Sequence, residues 1–128
     1  MPLEKLSCLL FELANEDRLR ILQRLEEKPM RLTQISEKLA LTVQETSRHL
    51  SRLSEAKLIE KNPEGLYCLI PYGEYVLRLL PGLEFLSGNR EYFVTHSLKE
   101  LPEEFLSRIG ELKNCKFTGD LFEALHLA

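Results

Sequence analysis

Apolar residues recur at helical spacing along most of the chain, and near its centre the pattern breaks into a short hairpin. Leu6, Leu9, Leu10 and Leu13 mark a first helix from about Leu3 to Leu13. Asn15 is placed to cap a second helix, with Glu16 and Asp17 in its first turn and Lys28 near its end. Leu19, Ile21, Leu22 and Leu25 supply the apolar side, and Pro29 stops it. Thr33 is the expected cap of a third helix whose Ile35 and Leu39 point inward. After Ala40-Leu41-Thr42 a fourth helix begins, with Thr42 as N-cap and Glu45 three residues on completing a capping box. Val43, Leu50 and Leu53, with Thr46 beside them, form its inward face. Gln44, Arg48 and Ser51 or Arg52 form another, flanked by Glu45 and His49.

Ile59–Lys61 and Leu66–Leu69 read as short strands around the turn Asn62-Pro63-Glu64-Gly65. Beyond Pro71, Tyr72, Tyr75, Val76, Leu79 and Leu80 form a helical stripe continued by Leu83, Phe85 and Leu86, and Pro81-Gly82 is expected to kink or break it. A second break falls at Gly88-Asn89. Leu101-Pro102-Glu103-Glu104 opens another helix, with Phe105, Leu106 and Ile109 facing inward. Thr118-Gly119-Asp120 begins a last helix carrying Leu121, Phe122, Leu125 and Leu127. That helix reaches Ala128 without a stop signal, which suggests a piece of a longer protein or a tail that a partner covers.

The expected fold is therefore mainly α with a small two-stranded wing: a winged helix-turn-helix over residues 1–70 and additional C-terminal helices over 71–128. In such modules the second helix of the helix-turn-helix commonly lies in the DNA major groove. Composition agrees with a soluble globular chain, 44% apolar and 29% charged over 128 residues. No apolar run approaches the ~20 residues needed to span a bilayer. The start, Met1-Pro2-Leu3-Glu4-Lys5, lacks the features of a secretory signal. A cytoplasmic protein without a membrane partner is expected.

The net charge of −3 is unevenly shared. Arg31 to Lys61 holds six basic and four acidic residues, whereas the other 97 residues hold 11 basic and 16 acidic. The basic excess is small, but it gathers where DNA would sit. Cys8, Cys68 and Cys115 form no CxxC pair, so neither a zinc knuckle nor a disulfide framework is indicated. His49, His96 and His126 are widely separated and no catalytic or phosphate-binding fingerprint occurs, so no enzyme, metal or cofactor is expected.

The expected partner is double-stranded DNA. Arginine can donate two hydrogen bonds to guanine and glutamine can pair with adenine in the same bidentate way, so Gln44, Arg48 and Arg52 are the candidate base readers. Thr46, Ser47 and His49 would alternate between base edge and phosphate, with Thr42 and Glu45 at the start of the same helix. Arg31, Thr33, Lys57 and Lys61 would position the backbone, and Asn62 and Tyr67 would contribute from the wing. One small module contacts few base pairs, so a homodimer spanning two half-sites is expected. The apolar surfaces at Leu3 to Leu13 and Tyr72 to Leu86 are the candidate interface. The alternative is a winged helix that mediates protein contacts only, although such modules tend to lack arginine and glutamine on this face.

Asn15-Glu16-Asp17-Arg18-Leu19-Arg20-Ile21-Leu22 and Leu53-Ser54-Glu55-Ala56-Lys57-Leu58-Ile59 resemble phrases that flank the helix-turn-helix in repressors of the ArsR and MarR kind. Tyr92-Phe93-Val94-Thr95-His96-Ser97-Leu98 and Leu101 through Leu112 are similar to archaeal winged-helix regulators with a filament- and methanogenesis-regulator domain. The resemblance implies a dimeric transcriptional regulator whose C-terminal sensing domain, for an unknown effector, extends beyond Ala128. It maps the recognition helix to Thr42 through Ala56 and the wing to Ile59 through Leu69. The cysteine pair of metal-sensing ArsR members is missing between Met30 and Lys61, so arsenic or zinc sensing is not implied.

Overall fold

The structure, a computed structural model, describes residues 2–100 and 102–112. The final helix expected from Thr118, together with Cys115 and His126, lies outside the described residues. Seven α-helices and one antiparallel hairpin follow in chain order among the described residues. They are α1 (Pro2–Leu13), α2 (Glu16–Glu27), α3 (Leu32–Leu39), α4 (Val43–Glu55), β1 (Ile59–Lys61), β2 (Tyr67–Leu69), α5 (Pro71–Gly88), α6 (Arg90–Thr95) and α7 (Glu103–Arg108). Two 3₁₀ segments, Leu98–Glu100 and Ile109–Leu112, flank α7. This is the mainly helical, winged helix-turn-helix class expected from the sequence. The chain forms two compact units, one up to Leu77 and one from Arg78.

In the first unit, α2, α3 and α4 close around Ile21, Leu22, Ile35, Leu50, Leu53 and Leu58, none of which reaches solvent. Polar groups lock the helix ends to one another. Asn15 Oδ1 accepts from the Arg18 amide at 3.0 Å, as its N-cap position requires. The buried Arg18 donates from Nε to the Glu12 carbonyl at 2.6 Å and from a terminal nitrogen to that of Phe11 at 3.2 Å. Arg20 donates to the Leu39 carbonyl at 3.2 Å. These bonds satisfy carbonyls that the ends of α1 and α3 leave open, and they put positive charge where helix dipoles favour it.

The third helix starts earlier than expected. Arg31, not Thr33, is its N-cap, and Gln34 Oε1 accepts the Arg31 amide at 2.9 Å. Thr33 therefore lies inside the first turn. Both helices of the helix-turn-helix end in left-handed residues that are not glycine, Ala40 at φ 55° and Lys57 at φ 64°. Each end is sealed by a bond back over five residues, Leu41 to Ser36 and Leu58 to Leu53.

The hairpin pairs Ile59 with Leu69, Glu60 with Cys68 and Lys61 with Tyr67. Asn62 Oδ1 collects the amides of Glu64 and Leu66, each at 2.9 Å, and Gly65 takes φ 87° to close the turn. Met30 makes an isolated antiparallel bridge to Tyr67 through two backbone bonds, which ties the wing to the segment before α3. At the start of α5, Gly73 is buried against the Leu58 carbonyl, which any Cβ would strike.

In the second unit, Phe85, Phe105 and Ile109 form a small core against which Leu86, Tyr92 and Phe93 pack. Of the kink or break expected at Pro81-Gly82, no break occurs: α5 runs through Pro81 as one helix. Pro81 and Gly82 lie against Ile109 and Gly110, so the site that forgoes a helix bond is covered by packing. The break at Gly88-Asn89 is present, with the Asn89 side chain donating to the Phe85 carbonyl at 2.9 Å.

Gly73→Ala is expected to destabilise the protein by about 1–3 kcal/mol, because backbone must move to admit a methyl. Gly88→Ala, which meets open space at a helix end, is expected to leave stability unchanged or raise it. Urea unfolding of both variants checks the pair.

Candidate nucleic-acid interface

The fourth helix is rigidly started. The Thr42 hydroxyl accepts from the Glu45 amide at 3.0 Å and donates to Glu45 Oε1 at 3.1 Å, so both side chains are committed to the cap. Of the expected capping box only the Thr42 half is seen: the Glu45 carboxylate takes the Thr42 hydroxyl, in place of the reciprocal bond to the Thr42 amide. One face of α4 is then buried: Thr46, Leu50 and Leu53 have no exposure. The Thr46 hydroxyl donates to the Thr42 carbonyl at 2.8 Å, so Thr46 is a core residue and does not face the solvent side where DNA would lie.

The opposite face carries Gln44, Ser47, Arg48 and Ser51, all exposed. They recur at i, i+3, i+4 and i+7, one continuous row. Val43, expected to turn inward, is 55% exposed at the first turn, at the margin between the buried seam and this row. Its exposure escaped the sequence pattern because Val43 falls in phase with Thr46, Leu50 and Leu53. Among the described residues no acidic side chain pairs with Arg48. Its guanidinium is available to an outside acceptor.

Arg52 is placed differently. Its Nε and a terminal nitrogen donate to the two oxygens of Glu12 at 3.0 and 2.8 Å, and its guanidinium lies 5.4 Å from the centroid of the Phe11 ring. This is a bidentate pair with a cation–π contact, linking α4 to α1. Arg52 therefore does not share the open row with Gln44 and Arg48, and Ser51 takes that position.

His49 sits between the two faces. Its Nε2 is 4.0 Å from Asp17 Oδ2, and its buried Nδ1 has no hydrogen-bond partner among the described residues. Burial, then the adjacent Arg18 charge, hold its pKa below the ordinary 6.5 against an upward pull from Asp17. Both effects favour the neutral imidazole over the charged one.

Arg31 lies beside the wing tip, close to Gly65, and Lys61 sits 5.8 Å over the Tyr67 ring. Arg31, Thr33 and Lys61 are exposed, Tyr67 is half-buried, and Asn62 spends its side-chain oxygen on the turn. Lys57 is exposed at the end of α4. No group of three or more His, Cys, Asp or Glu side chains able to hold a metal occurs among the described residues. No helix among them is long and apolar enough to cross a membrane.

Known proteins place this geometry. Residues 13–62 match the family described as a helix-turn-helix domain. Two structures of HlyU from Vibrio cholerae N16961, one of them in the reduced form, are 30% identical to this chain with a TM-score of 0.56. Each aligns over 62% of this chain, and over 88% of the reduced and 91% of the other HlyU chain. IdeR of T. acidophilum aligns over 89% of this chain and 53% of its own at 20% identity and a TM-score of 0.45. No curated protein sequence matches.

Mutating Glu12 and Arg52 singly and together to alanine is expected to reveal a favourable coupling of about 1 kcal/mol, at the upper end for partly exposed pairs. Coupling indistinguishable from zero in a double-mutant cycle would mean the strut contributes nothing to holding α4.

With 30% identity across most of HlyU and the matching domain at residues 13–62, this chain belongs to the winged helix-turn-helix family that includes HlyU, an architecture of DNA-binding regulators.

Proposed function

We propose that this protein is a sequence-specific, double-stranded-DNA-binding transcriptional regulator that acts as a homodimer, with α4 in the major groove. The observation that carries the reading is the open row Gln44, Ser47, Arg48 and Ser51 on a capped helix whose other face is fully buried. The row offers a bidentate amide, a bidentate guanidinium and two hydroxyls, the groups that read base edges. Glu45, the acidic residue nearest the row, is tied to Thr42. Arg31, Lys57 and Lys61 supply phosphate contacts around it.

The homodimer is supported by apolar surface that stands exposed among the described residues. Leu3, Leu6 and Leu10 are exposed along α1, and Tyr72, Tyr75, Leu79 and Leu83 are exposed at i, i+3, i+7 and i+11 along α5. Stripes of this extent mark association surfaces. We assign residues 1–70 to DNA reading and 71–128 to dimerisation, linkage and the start of a sensing region for an unidentified effector. The phrases resembling ArsR and MarR repressors, and archaeal regulators in the second half, support that finer placement, as the role itself supports a cytoplasmic location.

On duplex DNA from upstream of its own gene, Arg48→Ala is expected to lose about 1–3 kcal/mol on specific sequence. It should lose far less on random duplex. Arg52→Ala, whose side chain is held by Glu12, is expected to leave that discrimination intact. Fluorescence anisotropy across a salt series reads both. Absence of binding to any duplex at low salt would favour a protein-contact module instead.

Sedimentation of the wild-type chain is expected to give a dimer, and Leu79→Glu a monomer. A monomeric wild type at the concentrations used for DNA binding would remove the homodimer from the proposal.

A further inference from the structure

One apolar residue at the first turn of α4 stays open to solvent, at the edge of the polar row. Val43 is 55% exposed, although the other aliphatic residues of the helix, Leu50 and Leu53, are wholly buried. An isolated exposed aliphatic residue needs no explanation by itself. Its surroundings here are particular. Val43 is the first residue of the helix, and the cap formed by Thr42 and Glu45 fixes its backbone. One turn on stands Ser47 and two turns on Ser51, both exposed and short. Two adjacent rows therefore run along the face: Val43, Ser47 and Ser51, which project little, and Gln44 and Arg48, which project far.

Short side chains let a helix approach a groove floor closely, and the N-terminal turn of a recognition helix is the part that meets base edges. The floor of the major groove presents one apolar feature, the C5-methyl of thymine. Valine is suited to meet it. Its branched side chain has little rotamer freedom to lose, and the capped backbone has already been ordered. Gln44, the neighbour of Val43 on the same turn, suits adenine, the partner of thymine.

We propose that Val43 is a specificity-determining residue that reads the C5-methyl of a thymine in the DNA site, an inference that rests on the DNA-reading role given above. The contact discriminates thymine from cytosine by apolar burial, at a position where hydrogen bonds from Ser47 or Gln44 alone would be permissive.

The test begins with duplexes enriched from a randomised pool by the wild-type protein. Each thymine of the enriched sequence is replaced singly by deoxyuridine, which removes the methyl and keeps the pairing. Affinities are measured for the wild type and for Val43→Ala, an exchange at an exposed helix position that alanine favours. At one thymine position of the enriched site, deoxyuridine is expected to weaken wild-type binding about fourfold, the effect of one buried methyl. At the same position it should have little effect on Val43→Ala. Equal sensitivity in the two proteins, or no sensitive thymine at all, overturns the assignment while leaving DNA reading intact. A pool that never enriches, with or without binding to random duplex, overturns the sequence-reading role itself and Val43 with it.

Discussion

The buried seam of α4 sets the phase on which everything outward depends. Thr46, Leu50 and Leu53 are sealed from solvent, and the Thr46 hydroxyl closes on the Thr42 carbonyl at the same place where Thr42 caps the helix. Once those three positions are inward, helical geometry leaves Gln44, Ser47, Arg48 and Ser51 outward with no further freedom. Rotating the helix by one residue would put Leu50 or Leu53 in water and Ser47 or Ser51 in the core, a loss of apolar burial and of polar solvation together. Recognition chemistry is thus specified from behind, by the residues that never meet a partner.

The helix is also held at its ends, and there charge is spent on carbonyls and carboxylates inside the molecule. Arg18 and Arg20 bond the last carbonyls of α1 and α3, and Arg52 is clasped by Glu12. Three arginines therefore serve the fold, and one of them, Arg52, comes from the basic stretch between Arg31 and Lys61. Counting cations along the sequence overstates what this surface can offer to phosphate, since a guanidinium already paired in two places must be stripped before it can pair again.

Much of this was legible in the chain, and the misses share a cause. Asn15 and Thr42 announce their helices because a cap is a local bond between neighbours, visible at a spacing of three. The hairpin is equally local, since Asn62 builds the turn from its own side chain. Arg52 and Glu12 are forty residues apart, and nothing in either neighbourhood selects the other. Val43 misleads for a related reason. It lies in phase with Thr46, Leu50 and Leu53, yet periodicity implies burial only where another element extends over the position. Thr33 looks like a cap, but the backbone turns into the helix at Arg31, where Gln34 satisfies the amide. Ala40 and Lys57 end their helices in the left-handed conformation without the glycine that would have signalled it. Pro81 lies inside an intact helix because packing against Ile109 and Gly110 compensates the bond it forgoes.

A face with one unpaired arginine, on a chain of net charge −3, has consequences for how it would bind. Because Arg52 is engaged and the neutral form of His49 is favoured, Arg48 is left as the cation of the row, with Arg31, Lys57 and Lys61 at its margins. So few positive groups release few counterions, and long-range attraction to DNA is weak beside the repulsion from an acidic remainder. On the proposed reading, affinity then has to come from short-range contacts that only the right sequence supplies, and from pairing two such faces on one duplex. The apolar stripes of α1 and α5 fit that requirement, because a module too weakly charged to hold DNA alone gains most from a second copy. Weak nonspecific binding and dependence on the dimer are, on this account, two results of the same sparse charge.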